Sequence, residues 1–182
     1  MTHVAVTAVG VDRPGIVAAV TGVLKDEGCN LEDTSMTILR GHFAMMLVVE
    51  IPPDASPSLL EAALAPVGEQ LRLVLTVRPV DEGTEERTGA APAGEQWAVA
   101  VYGADRPGIV HAVATVLSGV GANITDLTTR VIGESGHPVY AMHLDVVVPA
   151  GVDAGALADH LSLTAAELGV DVSIHPAEAD IL

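Results

Sequence analysis

Polar and apolar residues alternate over positions 3–9, and several of the apolar ones are β-branched, which predicts a strand. The period then changes. Ile16, Val17, Val20, Val23 and Leu24 recur at spacings of three and four, so residues 14–27 predict a helix that Gly28 ends. Strand patterning returns over 30–40 and 43–51, with Gly41-His42 as the tight turn of an antiparallel hairpin. Residues 58–70 predict a second helix. Leu59, Leu60, Ala63, Leu64 and Val67 share one side of it, and Pro66 is expected to kink or shorten it. A strand over 71–78 completes a βαββαβ order. The order then repeats: strand 96–102, helix 107–120, strands 123–132 and 138–148, helix 153–168, strand 170–175.

The residues repeat along with the pattern. Gly10-Val11-Asp12-Arg13-Pro14-Gly15-Ile16-Val17 returns 93 positions later as Gly103-Ala104-Asp105-Arg106-Pro107-Gly108-Ile109-Val110, and residues 10–38 match 103–131 at 14 of 29 positions. Past the hairpin the best offset is 97, which puts four extra residues at the tip of the second hairpin, around Gly133-Glu134-Ser135-Gly136. A period this long means two whole domains. We place them at 1–80 and 96–178, joined by an acidic flexible linker over 81–95. The fold class is α+β: two ferredoxin-like βαββαβ sandwiches, each an antiparallel sheet with both helices on one face. Strands one and three should be central and strands two and four edges. Strand two of each unit is then free to pair with its counterpart in the other unit, which would hide two aggregation-prone edges. Units this small bury limited core alone, which favours their packing together. The same edges leave room for a homodimer.

Charge and hydropathy narrow the function. The mean hydropathy is high, +0.45, yet no run approaches the ~20 apolar residues of a membrane span. No basic and apolar leader of a signal peptide opens the chain. One cysteine, Cys29, allows no intrachain disulfide and fits the cytoplasm. The net charge is −16, with Lys25 the only lysine. Nucleic-acid binding rests on neutralising phosphates with Lys and Arg. Direct nucleic-acid binding is therefore not expected, and any regulatory output would pass through a protein partner.

The candidate chemistry lies in the repeated loop. Asp12 and Asp105 stand where helix N-caps belong, with the carboxylate of Asp12 positioned to accept the amide of Gly15. Gly15 and Gly108 let a ligand approach the backbone, and the helix N-terminus suits a carboxylate. At the far end of each helix, Gly28-Cys29-Asn30-Leu31 and Gly121-Ala122-Asn123-Ile124 turn into the edge strands. If those edges pair, Asp12 faces Asn123 and Asp105 faces Asn30. Two equivalent clefts would follow, each with amides for a carboxylate and an acid for an ammonium. The plainer alternative is that the aspartates only cap, that Arg13 and Arg106 pair with nearby acids, and that Asn30 and Asn123 only satisfy turn amides.

Asp-Arg-Pro-Gly-Ile-Val, followed by Gly-x-Asn-[Leu/Ile] in a βαββαβ unit, resembles the ACT domain. Two such units alone resemble the glycine cleavage system transcriptional repressor group. The same opening also occurs at the front of formyltetrahydrofolate deformylases, but a catalytic domain of that kind is missing here. The resemblance implies a small-molecule sensing module whose ligand is an amino acid. It places ligand contacts at Asp12, Arg13, Gly15, Ile16, Asn30 and Leu31, and at Asp105, Arg106, Gly108, Ile109, Asn123 and Ile124. Some serine-sensing members carry a histidine where Gly10 and Gly103 stand, so the resemblance does not select serine.

Other chemistry is weaker. The seven histidines are scattered without ligand spacing, so no metal is expected, and no cofactor motif or glycine-rich phosphate loop is present. No nucleophile elbow appears, which leaves no catalytic residue to name. Cys29, without basic neighbours, is expected to be an inert buried thiol. Met36, Met45, Met46 and Met142 are expected to fill the core. The reading is a non-enzymatic, cytoplasmic amino-acid-binding regulator acting through a protein partner. Its rivals are a structural protein-interaction module with empty clefts and, third, a small-molecule enzyme.

Overall fold

A computed structural model describes residues 2–80, 94–132 and 139–177. The chain divides into two compact units, Met1–Glu86 and Arg87–Leu182. The first unit runs β1 (Thr2–Val11), α1 (Ile16–Asp26), β2 (Asn30–Leu39), β3 (His42–Ile51), α2 (Pro57–Leu71) and β4 (Leu73–Pro79). The second runs β5 (Gly94–Gly103), α3 (Ile109–Gly119), β6 (Asn123–Ile132), β7 (Val139–Pro149), α4 (Ala154–Leu168) and β8 (Val170–Pro176). Both sheets are antiparallel, with orders β2-β3-β1-β4 and β6-β7-β5-β8. The fold is two ferredoxin-like βαββαβ sandwiches, with strands one and three central and strands two and four at the edges.

Each sheet buries one face. In β1, Val4, Val6 and Ala8 point inward, and in β3 Phe43, Met45, Leu47, Val49 and Ile51 do so. Ile16, Val20 and Leu24 of α1 and Leu60 and Leu64 of α2 close the core over them. The second unit repeats the arrangement with Val99, Val101, Met142, Leu144 and Val146 under Ile109, Val113, Leu117, Leu157 and Leu161. Burying a side chain of this size contributes about 1.5–3 kcal/mol against exposure, so the shared face is the main stabilising feature of each unit.

Four local expectations need correction. The first hairpin turns at Arg40-Gly41 rather than Gly41-His42. Both residues have positive φ (49° and 79°) and Leu39 pairs with His42, so the two-residue loop that matches strand twist falls one position earlier. Pro66 neither ends nor shortens α2, which continues to Leu71. Pro66 lies on the exposed side of the helix, and the carbonyl it leaves unbonded, that of Ala62, belongs to an exposed residue too. Burial of Leu60, Leu64 and Gly68 on the other side carries the helix through. Leu59 is not on that buried side; it is 60% exposed. Met45 and Met142 are core residues, but Met36 (46% exposed) and Met46 (54%) are not. Met36 sits on edge strand β2, beyond the helices, and Met46 on the sheet face without helices. The tip of the second hairpin, 133–138, and residues 81–93 of the linker lie outside the described residues.

Candidate functional site

The Asp-Arg-Pro-Gly loops link β1 to α1 and β5 to α3. Neither aspartate caps its helix, contrary to expectation. Gly15 and Gly108 occupy the N-cap positions, in left-handed backbone (φ 93° and 97°), and neither helix has a side-chain cap. The physical reason is distance along the chain. A capping side chain must sit immediately before the helix. Here Arg-Pro-Gly intervenes, and only glycine adopts this backbone freely. Asp12 is held by its own backbone, its amide donating to the Gly41 carbonyl at 2.9 Å.

The contrast with the other two helices is informative. Ser56 accepts the Leu59 amide (3.3 Å) at the start of α2. Asp153 accepts the amides of Gly155 (2.8 Å) and Ala156 (3.1 Å) at the start of α4. The two helices behind the repeated loops are therefore the two without caps. Their first-turn amides have no intrahelical partner and form the positive end of the helix dipole. Nothing lies within 4 Å of where a Cβ would stand on Gly15 or Gly108, so the loop is open on that side of each glycine. Ile16 and Ile109 are 2% and 1% exposed. Their side chains belong to the core, which leaves only their backbone to a ligand.

The two arginines differ. Arg106 donates to the Leu168 carbonyl at 3.1 Å, on the last turn of α4, and among the described residues does not pair with an acid. Gly169 makes room for it: a Cβ there would lie 3.1 Å from the guanidinium. The matching position in the first unit is Arg72, and Arg13 has no hydrogen bond or ion pair among the described residues. Beside the second loop, Tyr140 has its hydroxyl pKa raised, first by burial and then by the charge of Asp105, against a lowering bond from Thr129. Phe43 fills that position in the first unit.

Asn30 and Asn123 open the edge strands and are exposed. Each is followed by a ladder irregularity, between Leu31 and Asp33 and between Ile124 and Asp126. Neither bulge has a signature among the residues around it, and bulges are common near functional sites. Leu31 is 45% exposed, whereas Ile124 packs partly against its core. Within the first unit the structure does not bring Asp12 and Asn30 together. Asp12 bonds beside the hairpin turn, while Asn30 pairs with Glu50 near the other end of β3. Eight residues of strand, from His42 to Glu50, separate those ends by roughly 26 Å. Cys29 packs partly against the core, and its thiol pKa is raised by burial and then by Glu27. Among the described residues no His, Cys, Asp and Glu cluster fits a metal, and no helix is long and apolar enough to cross a membrane.

Known proteins share this arrangement. A UPF0237 protein from Methanopyrus kandleri is 42% identical over 82 residues, 44% of this chain and 91% of that protein. The glycine cleavage system transcriptional repressor of Escherichia coli is 26% identical over 179 residues, 95% of this chain and 89% of its own length. The crystal structure of an unknown protein from Galdieria sulphuraria has a TM-score of 0.80 at 27% identity, covering 97% of this chain and 99% of that one. The ACT domain profile matches residues 2–78 and again 95–175. With the profile, the topology and the repeated loop in agreement, the chain belongs to the ACT domain family as a tandem pair.

Proposed function

We propose that the chain is a non-enzymatic regulatory protein that binds a small amino acid where its two ACT units meet and signals through a protein partner. The observation that carries this reading is the absence of side-chain caps on α1 and α3, set against the capped starts of α2 and α4. A carboxylate would satisfy those amides at a helix N-terminus. Asp12 or Asp105 would face the ligand's ammonium. Asp12 and Asn30 lie too far apart to share one small ligand within a unit, which supports the reading that pairs Asp12 with Asn123 and Asp105 with Asn30. The exposed edge strands β2 and β6 are the surfaces that would adjoin. The net charge of −16 supports a protein output rather than a nucleic-acid one, and the reading places the protein in the cytoplasm.

A double-mutant cycle, read by calorimetric titration of the bound amino acid, tests the shared cleft. Asp12→Asn and Asn123→Ala should each weaken one site and be non-additive by about 0.5–3 kcal/mol. Asp12→Asn and Asn30→Ala should add to within about 0.5 kcal/mol. Coupling inside a unit and none between units would refute it. One observation favours a second reading, a protein-interaction module. Leu31, Met36, Ile38 and Leu39 are all at least 45% exposed along β2. Binding of a protein partner without any amino-acid effect would select that reading.

A further inference from the structure

The two asparagine ends are not chemically alike. Asn30 pairs across the ladder with Glu50, whereas Asn123 pairs with Val147, which is 4% exposed. An open pocket of about 460 Å³ lies at the Asn30 end, lined by Gly28, Asn30, Glu50, Pro52 and their neighbours. That volume falls within the range of small-ligand sites. Of its polar side chains, Glu50 is the carboxylate, and the Thr2 hydroxyl and Asn30 carboxamide each offer an oxygen. Pro52 and Pro53 bring no amide N–H, and among the described residues no lysine or arginine lines it. Glu32, the other nearby carboxylate, is paired with His3 at 3.3 Å. Glu50 stands opposite His3 in the β1–β3 ladder, and the carboxylate on which His3 closes to 3.3 Å is that of Glu32. Gly28 has φ 71°, and a Cβ there would lie 3.5 Å from the Pro52 ring, so a larger residue would narrow the entrance.

We propose that this pocket is an ammonium site of the first unit. Glu50 supplies the counter-charge and the Asn30 carboxamide an oxygen to a small molecule bearing a primary ammonium group. Val147 denies the second unit the same property. The inference rests on the sensor reading and deepens it, by adding Glu50 to Asp105 as a second carboxylate on the ammonium of a ligand at Asn30, yet its probe does not depend on an amino acid being bound. The strongly negative chain raises the local concentration of such a cation without fixing where it binds. Glu50 does the fixing.

The experiment is a titration of the full chain with methylammonium chloride, followed by amide chemical shifts, beside sodium chloride at matched ionic strength. Saturating shifts are expected at Gly28, Asn30 and Ile51, and not at Gly121 and Asn123. E50Q keeps the side-chain shape and should weaken binding at least ~10-fold, the loss that follows from removing about 1.4 kcal/mol of charge attraction. E50V should do the same and fold normally, since valine occupies the equivalent ladder position in the second unit. The proposal is overturned by any of three results: no saturable response, an equal response to sodium chloride, or E50Q binding like wild type. An amino acid that binds wild type and E50V equally would overturn it and leave the sensor reading standing. Methylammonium binding with no amino-acid binding would do the reverse.

Discussion

Replacing Gly15 and Gly22 with alanine, one at a time, isolates the backbone strain of the loop. Both residues touch the same helix: Gly15 is the N-cap of α1 and Gly22 lies within it. At neither position does anything lie within 4 Å of a new Cβ, so packing contributes nothing to the difference. The gain from restricting the unfolded chain, roughly 0.4–1 kcal/mol, is common to both and cancels. What remains is the left-handed backbone at Gly15, φ 93°, which costs an L-residue about 1–2 kcal/mol. Gly22→Ala should stabilise, because a helix-interior glycine is roughly 0.5–1 kcal/mol worse than alanine. Gly15→Ala should then melt below Gly22→Ala by roughly 2–8 °C, at ~2–4 °C per kcal/mol for a chain of this size. Thermal melts followed by far-ultraviolet circular dichroism read it directly. Equal melting points, or Gly15→Ala the higher, would refute the claim that the loop requires glycine.

Other outcomes follow from the same geometry. Asp153→Ala should cost about 0.5–2 kcal/mol in urea unfolding, having lost two amide bonds. Asp12→Ala and Asp105→Ala should stay within about 0.5 kcal/mol of wild type, because neither side chain caps a helix. A loss of cap size at Asp12 would restore the capping role. Leu161→Ala, at a fully buried site on α4, should cost about 2–5 kcal/mol by urea unfolding, and a loss below ~1 kcal/mol would contradict its place in the core. The Cys29 thiol, raised by burial and then by Glu27, should form thiolate only at higher pH than a free cysteine. Its alkylation rate against pH should therefore have a midpoint above the ordinary value near ~8.5, and a midpoint below that would contradict the assignment.

The elements were legible because helix and strand periods differ and each occurs twice. Strand β6 spans Asn123–Ile132, the range its pattern predicts. Where structure and pattern differ, the backbone around a residue overrides its local preference. Arg40 carries no sign that it will take positive φ, so residue type alone puts the turn one residue late. Asp12 looked like a cap because the residue type was right, but two residues and a left-handed glycine separate it from the helix. Pro66 looked like a break because its exposed side could not be seen in the sequence. The Asp-Arg-Pro-Gly loop and the two asparagines stood out as repeated residues. The different fates of Arg13 and Arg106 did not, since the Leu168 carbonyl and the space at Gly169 meet Arg106 only in three dimensions. The Glu50–Val147 difference was present in the sequence but acquired meaning only from the ladder register.

The central claim is that the uncapped loops hold an amino acid, and a thermal-shift screen of the twenty amino acids tests it most directly. One site at 100-fold excess over its dissociation constant adds ~2.7 kcal/mol. For this chain that is a rise of roughly 5–10 °C. The account predicts such a rise for a specific small amino acid, with glycine or another short side chain favoured. If none of the twenty at millimolar concentration moves the melting point by about 1 °C, the account is contradicted.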